Sequence, residues 1–289
     1  MGKKKYSMWY CLPAFIIYTV LFIVPSVISI GTSFTDLSIF ALDDYKFVGF
    51  ENFRNLFHDD IFLTIFKNTF YYAIVTVILK NVIGFILALL LDNELKATRF
   101  YRSVFFMPCI LSSMVVCLIF CSIYHPQNGI LNETLRALHL NGLTRQWLAD
   151  AHTAMNSVCA IEIWQWAGFH MTIYLAALQG IDRSYLEAAA IDGASKRQQL
   201  FKIKIPLMIG SIGINIVLAI VGGLKVFDKV YATTNGGPND ATQVFSMYIY
   251  KTFGQGLLGL SSAYNTVFTL IIAIIAFFVL KQFMKKEVD

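Results

Sequence analysis

Long apolar stretches separated by polar segments form the main pattern of the chain. A helix needs about 20 predominantly apolar residues to cross the ~30 Å hydrocarbon core of a bilayer, and six stretches reach that length. The predicted spans cover residues 9–32, 65–91, 103–124, 156–179, 207–227 and 263–284. This pattern predicts an all-α, polytopic membrane protein with six transmembrane helices, in which residues 1–289 form a single transmembrane domain.

The composition agrees with an apolar surrounding. Of the 289 residues, 57% are hydrophobic and only 14% are charged, whereas soluble domains carry roughly 25% charged residues. No CxxC pair or ligand-spaced His accompanies the cysteines, so neither a metal site nor a disulfide framework is expected. The five cysteines lie in or beside apolar stretches: Cys11, Cys109, Cys117, Cys121 and Cys159.

Lys and Arg residues are distributed unevenly among the segments between the spans. Fourteen lie in the N-terminus, residues 92–102, residues 180–206 and the C-terminal end from Lys281 onward, against six in residues 33–64, 125–155 and 228–262. Since Lys and Arg are enriched in cytoplasmic loops, we expect both termini and residues 180–206 to be cytoplasmic. The first span follows Lys3, Lys4 and Lys5 but exceeds the apolar core of a signal peptide, so we expect it to be retained. The net charge of +5 then needs no nucleic-acid partner.

Residues 180–206 contain the most informative segment of the chain. Ala and Glu favour a helix over residues 187–192, and Gly193 stands where a helix can end in a turn. A second helical stretch runs from Ser195 to Lys202, and Pro206 marks the start of the next span. Two short helices that project into the cytoplasm can seat in a groove of another protein.

The spacing within this segment resembles the coupling-loop signature of permeases in binding-protein-dependent ABC importers. That signature reads Glu-Ala-Ala, three residues, Gly, nine residues, Ile-x-Leu-Pro, and Ile205 stands here in place of Leu. The residues that carry the resemblance, with Asp192 beside the glycine, are Glu187, Ala188, Ala189, Asp192, Gly193, Ile203 and Pro206. The resemblance implies that they couple the chain to an ATPase.

The resemblance extends over nearly the whole chain and narrows to the carbohydrate-uptake group that includes the maltose permeases. It rests on residues 47–53, on Phe227-Asp228 and on residues 234–238. It implies a bacterial cytoplasmic (inner) membrane protein that pairs with a second related permease. It also implies two cytoplasmic ATPase subunits that hold ATP and Mg, and an extracytoplasmic sugar-binding protein. This chain contains no G-x-x-x-x-G-K-[ST] loop, and we expect neither enzymatic activity nor a cofactor of its own.

Polar and aromatic residues of the fourth predicted span provide the candidate substrate site. Glu162, Gln165, Trp166 and Phe169 are offset by 0, 3, 4 and 7 residues and share one helical face. A carboxylate and an amide bind hydroxyl groups, and rings contact the C–H faces of a sugar. The resemblance places these residues on the sugar-contacting face of the family. On the fifth span, Gly222 and Gly223 provide either cavity space or close helix packing.

Glu162 carries a charge that is costly inside a membrane, so we expect it to face a cavity or a partner helix. Lys225 and Asp228 are three residues apart and are candidates to pair with each other or with Glu162. An importer of polyols or glycerol phosphate esters remains an alternative, although Glu162 argues against an anionic substrate. A proton-coupled secondary transporter with Glu162 as relay would explain the carboxylate but not the spacing of residues 187–206. An intramembrane enzyme lacks a supporting motif.

Overall fold

The computed structural model describes residues 8–92 and 97–288, and its regular secondary structure within those ranges is helical. Two isolated bridges, Thr35 to Phe47 and Ser38 to Ala41, are the only β-type pairings among the described residues, which contain no strand. The predicted all-α class is therefore confirmed. The basic residues Lys3, Lys4, Lys5 and Lys96, which the charge count uses, lie outside the described ranges.

Thirteen helices, apart from the short 3-10 helix Asn141–Leu143, follow one another along the described part of the chain. They are α1 (Trp9–Thr32), α2 (Glu51–His58), α3 (Asp60–Asp92), α4 (Thr98–Ile110), α5 (Ser113–Ile123), α6 (Ile130–Ala137), α7 (Ala154–Gln179), α8 (Arg183–Ile191), α9 (Lys196–Leu207), α10 (Ile209–Leu224), α11 (Asp228–Thr233), α12 (Phe245–Gly254) and α13 (Leu258–Val288). Helices α1 and α9 each contain a π-helical turn, at Thr19–Ile23 and Leu200–Lys204.

Three of these helices are long and apolar enough to cross a membrane by themselves: α1, α3 and residues 258–282 of α13. Two bent pairs, α4 with α5 and α9 with α10, pass the same test when each pair is taken together. Helix α7 corresponds to the fourth predicted span and has 26 residues. It is not among these candidates because Glu162, Gln165 and His170 lower its hydropathy. The six-span count therefore stays a prediction.

The third predicted span is not one straight helix. Helices α4 and α5 are bent by 96° at Leu111 and Ser112, whose backbones are extended. Pro108 lies in the last turn of α4 and cannot donate a backbone hydrogen bond. The carbonyl oxygen of Leu111 accepts a hydrogen bond of 2.9 Å from Gln165 Nε2. A side chain of α7 thus satisfies a backbone group at the break, as membrane helices require.

Contacts group the chain into two compact units, and the first comprises residues 1–62 and 248–270. In this unit the Asn52 amide donates to the carbonyl oxygens of Ser33 and Thr35, at 3.0 and 2.7 Å. Asp59 Oδ2 accepts hydrogen bonds of 2.8 Å from the hydroxyls of Tyr248 and Tyr264. These polar contacts join segments that lie far apart along the chain.

The second unit comprises residues 63–247 and 271–289 and holds the candidate site. Its core includes an apolar cluster in which the end of α3 packs against the end of α7, with Ala88, Leu91, Met171, Leu175 and Leu178 buried. Polar side chains lie between the same helices nearer their middles. Helices α3, α7, α10 and α11 therefore surround a polar interior, which the next section describes.

Candidate functional site

A cavity of about 370 Å³ opens in the second unit between α3, α7, α10 and α11. Four of the six residues predicted to bind substrate line it, namely Glu162, Trp166, Phe169 and Gly222. The rings of Trp166 and Phe169 meet edge to face, with their centroids 5.7 Å apart and an interplanar angle of 84°. The cavity thus combines an aromatic wall with charged groups.

Gln165 lies at the edge of the predicted face and does not line the cavity. At about 100° per residue, its direction differs by roughly 60° from that of Glu162, whereas Trp166 and Phe169 stay within about 40°. The Gln165 side chain is fully buried. Its Nε2 donates to the Leu111 carbonyl oxygen, and its Oε1 accepts a hydrogen bond from Lys229. The structure therefore gives Gln165 a supporting position behind the cavity wall.

The two glycines of α10 also differ from each other. Gly222 lines the cavity, and a Cβ atom added there would meet nothing within 4 Å. Gly223 is buried against α3, where an added Cβ would come within 3.1 Å of Ala73 Cα and 3.2 Å of Thr76 Oγ1. The sequence left open whether these glycines provide cavity space or close helix packing. In the structure Gly222 provides space, and Gly223 permits close packing.

Glu162 is the centre of a buried group of charges contributed by three helices. Its Oε1 lies 2.9 Å from Lys80 Nζ on α3, and its Oε2 lies 4.0 Å from Lys229 Nζ on α11. The exposed fractions of Glu162, Lys80 and Lys229 are 8%, 2% and 3%. Glu162 faces the cavity, as expected, and also pairs with neighbouring helices.

The partners of Glu162 differ from those considered at the level of the sequence. Lys225 and Asp228 line the cavity but are exposed, and the ion pairs of Glu162 within the described residues are with Lys80 and Lys229. One signal for Lys80 was present, because a lysine in the middle of an apolar stretch is itself an intramembrane charge that needs a partner. Lys229 gave no such signal, since it lies in a predicted outer loop.

Neutral polar contacts hold α3, α7 and α10 together beside the ion group. His170 Nδ1 lies 2.6 Å from Asn215 Oδ1, and Asn215 Nδ2 donates to the His170 carbonyl oxygen at 3.2 Å. The hydroxyl of Tyr174 donates to Asn81 Oδ1 at 2.6 Å. His170 also lines the cavity, which the sequence alone did not indicate. In a membrane such hydrogen bonds fix helix positions where apolar burial cannot.

The segment with the predicted coupling residues contains two short helices separated by a turn. Asp182 begins α8, and its Oδ1 accepts a hydrogen bond of 2.9 Å from the backbone N–H of Ser184. Hydrogen bonds from Ser184 hold the pKa of the Asp182 carboxyl below its ordinary value. Ser195 and Gln198 form a capping box at the start of α9. Each helix is therefore started by its own side-chain cap.

Gly193 makes the turn between these helices, as predicted. Its φ is +80°, a conformation that glycine adopts without a steric penalty. The N–H of Ala194 donates to the Ala189 carbonyl oxygen at 2.9 Å, and the N–H of Gly193 donates to that of Ala190 at 3.1 Å. This pair of hydrogen bonds is the Schellman motif that ends many helices.

Most of the predicted coupling residues are accessible on the surface. Glu187, Ala188, Asp192, Gly193 and Pro206 are exposed, whereas Ala189 and Ile203 are half-buried. Ile191 stands between them on the end of α8 and is 86% exposed. Lys204 Nζ lies 2.6 Å from Asp92 Oδ2 and so ties α9 to the end of α3. The segment offers a surface to a partner while it remains attached to the helices around the cavity.

Comparisons with known proteins agree on one family. Residues 80–286 match the family model described as binding-protein-dependent transport system inner membrane component. The chain is 36% identical over 254 residues to the Bacillus subtilis protein named probable ABC transporter permease protein YurN, covering 86% of this chain and 87% of that protein. It is 29% identical over 287 residues to the Streptococcus mutans protein named multiple sugar-binding transport system permease protein MsmF, covering 99% and 98%.

A solved structure shows the same fold. The chain superposes with a TM-score of 0.84 on a bacterial ABC transporter involved in the import of the acidic polysaccharide alginate. The match covers 96% of this chain and 94% of that chain, at 22% sequence identity.

Glu162→Gln should destabilise the protein more than any other single substitution in the ion group. It leaves two buried ammonium groups without a carboxylate, and losing one partner of a buried pair costs about 3–5 kcal/mol. Adding Lys80→Met should recover part of this loss, because it removes one of the two unpaired charges. Thermal unfolding of the purified, detergent-solubilised transporter measures both effects.

Glu133→Gln provides the matched control for this prediction, since Glu133 is exposed on α6. The same chemical change there should alter stability by less than about 0.5 kcal/mol. If the double variant is as unstable as Glu162→Gln alone, the unpaired charge of Lys80 is not what destabilises Glu162→Gln.

Proposed function

The chain belongs to the family of binding-protein-dependent transport system inner membrane components, and from this premise we propose that it carries sugars or oligosaccharides through a membrane. In this proposal the chain is a permease subunit of an ATP-driven importer and forms half of the translocation pathway. A binding protein delivers the sugar, and separate ATPase subunits hydrolyse ATP.

The cavity around Glu162 is the observation that carries the sugar assignment. Its volume of about 370 Å³ lies within the range of small-molecule sites, which combine apolar walls with a few placed polar groups. Trp166 and Phe169 supply flat surfaces for the C–H faces of a sugar ring. Lysine and carboxylate groups supply donors and acceptors for its hydroxyls. The name of the Streptococcus mutans relative, which refers to multiple sugars, agrees with this assignment.

The proposed mechanism is alternating access, in which a cavity near the middle of the membrane opens to one side at a time. Closure of two cytoplasmic ATPase subunits on ATP and Mg would move α8 and α9, which seat in grooves of those subunits. Because Lys204 is paired with Asp92, movement of α9 is passed to α3 and hence to the cavity wall that carries Lys80. A rigid helix thus connects the two sites.

Apolar helix surfaces support a membrane location and a second permease subunit. No residue is buried in the most apolar 18-residue stretch of α1, and only 17% of the residues are buried in the corresponding stretch of α13. In a membrane such surfaces contact lipid or a neighbouring helix. A heterodimer with a related permease would complete the pathway, of which this cavity is one half.

Orientation in the membrane follows from the distribution of Lys and Arg. We expect six spans, with both termini and residues 180–206 in the cytoplasm and residues 33–64, 125–155 and 228–262 outside. In a cysteine-free chain, a cysteine at Asn128 should react with an impermeant thiol reagent in right-side-out cells. A cysteine at Ser195 should react only after the membrane is permeabilised. Both positions are exposed on the protein surface, and the reverse pattern would overturn this topology.

Gly193→Val should abolish uptake or loosen the ATPase subunits without preventing membrane insertion. A β-branched residue at φ +80° strains the backbone by about 1–2 kcal/mol, so the turn between α8 and α9 should change. An added Cβ meets nothing within 4 Å at this position, and only the backbone conformation is therefore affected. Sugar uptake and retention of the ATPase subunits during purification measure the effect.

Gly142→Val is the matched control for Gly193→Val. Gly142 is also free of neighbours within 4 Å but has no positive φ. It should leave uptake unchanged. Normal uptake and normal ATPase retention in Gly193→Val would show that this turn does not couple ATP hydrolysis to transport.

Trp166→Ala should weaken the apparent affinity for the transported sugar about tenfold or more. The substitution removes a large apolar surface from the cavity wall, and a buried side chain of this kind contributes about 1.5–3 kcal/mol. Uptake against sugar concentration in the reconstituted transporter measures it, with assembly checked by size exclusion. Trp166 gives a cleaner test than Glu162, whose removal also disturbs the buried ion group.

Trp164→Ala makes the same change two residues away and serves as the control. Trp164 is 47% exposed and packs against Phe120, with ring centroids 5.3 Å apart, and it does not line the cavity. Its loss should leave the apparent affinity unchanged. Equal apparent affinities in both variants and the unmodified protein would show that this face of α7 does not form the sugar path.

A further inference from the structure

The charges that line the cavity do not balance. Two ammonium groups, those of Lys80 and Lys229, are almost completely buried beside the single buried carboxylate of Glu162. Lys225 and Asp228 also line the cavity, but both are exposed, and their opposite charges offset each other. The buried part of the cavity wall therefore holds one positive charge in excess.

The excess charge resides at Lys229. Lys80 Nζ is hydrogen-bonded to Glu162 at 2.9 Å, whereas Lys229 Nζ lies 4.0 Å from the other carboxylate oxygen, too far for a hydrogen bond. Its one hydrogen bond within the described residues goes to the neutral amide oxygen of Gln165. An ammonium group has three donors, so Lys229 keeps donor capacity for a molecule in the cavity.

A buried charge without a full counter-charge is unfavourable, by several kcal/mol for each ion removed from water. A neutral sugar in this cavity would displace water from Lys229 and supply no negative charge in return. A ligand with one negative charge would instead complete a group of two ammonium ions and two carboxylates. The preference for such a ligand follows from the same electrostatics that pair Lys80 with Glu162.

We propose that the cavity binds a sugar that carries a carboxylate, such as a hexuronic acid, and that Lys229 selects it. This inference rests on the proposed function, because it names the substrate class of the same cavity. A carboxylate carries one negative charge and matches the excess, whereas a phosphate ester carries about 1.5–2 charges at pH 7 and exceeds it. Trp166 and Phe169 would hold the ring of the sugar against the wall.

The position of Glu162 explains why the sequence suggested the opposite. A carboxylate within a predicted span argues against an anionic substrate only while its own partners are unknown. In the folded protein Lys80 neutralises Glu162, and Lys229 lies on the same wall. A ligand in the cavity is therefore exposed to the positive charge of Lys229.

Equilibrium binding to the assembled transporter, with the binding protein omitted, tests the proposal. Thermal stabilisation is titrated with D-glucuronate, D-galacturonate and D-mannuronate, and with D-glucose, D-galactose and D-mannose, at constant ionic strength. At least one uronate should bind about tenfold or more tightly than its neutral counterpart, as expected for a hydrogen bond between charged groups. Glucose 6-phosphate, tested against glucuronate, should bind more weakly.

Variants of Lys229 test whether this residue causes the preference for a uronate over a neutral sugar. Lys229→Gln should bring the ratio of uronate to neutral affinity close to one, and Lys229→Arg should retain the ratio. Lys46→Gln removes the same charge from an exposed position far along the chain and should change nothing. If Lys229→Gln fails to assemble, the unmodified transporter and Lys229→Arg still decide the outcome, because both must show the preference.

The contrary outcomes are distinct from each other. Equal or tighter binding of neutral sugars, stronger binding of glucose 6-phosphate, or a preference that survives Lys229→Gln would overturn this inference and leave sugar transport standing. Binding of neither uronates nor neutral sugars would overturn the inference, and sugar uptake by the reconstituted transporter decides the sugar assignment separately.

Discussion

Glu162 brings a negative charge into the interior of the helical unit that holds the candidate site. The arrangement of that unit depends on which positive charges pair with it. Lys80 comes from α3 and Lys229 from α11, so the contact fixes both helices against α7. Gln165, one turn further along α7, joins Lys229 to the carbonyl oxygen of Leu111 at the bend between α4 and α5. A charge that cannot be left unpaired in an apolar surrounding thus determines where four segments meet and where the cavity forms.

The same contacts separate residues that support the cavity from residues that face it. Gln165, Gly223 and the pair of His170 and Asn215 hold helices at close range, while Trp166, Phe169 and Gly222 leave a space bounded by rings. A transporter needs both groups, because a cavity must keep its shape when water is displaced and must still release its ligand. Substitutions in the supporting group should therefore affect assembly, and those in the facing group should affect affinity.

The segment with α8 and α9 follows a different physical rule. Its conformation is determined locally, by the caps at Asp182 and Ser195 and by the positive φ of Gly193, and needs little support from the rest of the chain. Such a segment can keep its shape while a partner moves it. The pairing of Lys204 with Asp92 then provides a short connection from this segment to α3, which also carries Lys80.

Sequence by itself determined the features that depend on neighbouring residues. Apolar stretches gave the all-α class, the spacing of residues 187–206 indicated the family, and Gly193 predicted the turn. Tertiary structure decided the partners of Glu162, the separate roles of Gly222 and Gly223, the buried position of Gln165 and the 96° bend at Leu111. Lys80 and Glu162 are 82 residues apart, and helical periodicity gives only the direction of each side chain. The packing of whole helices determines which charges pair with each other, and no local pattern contains that information.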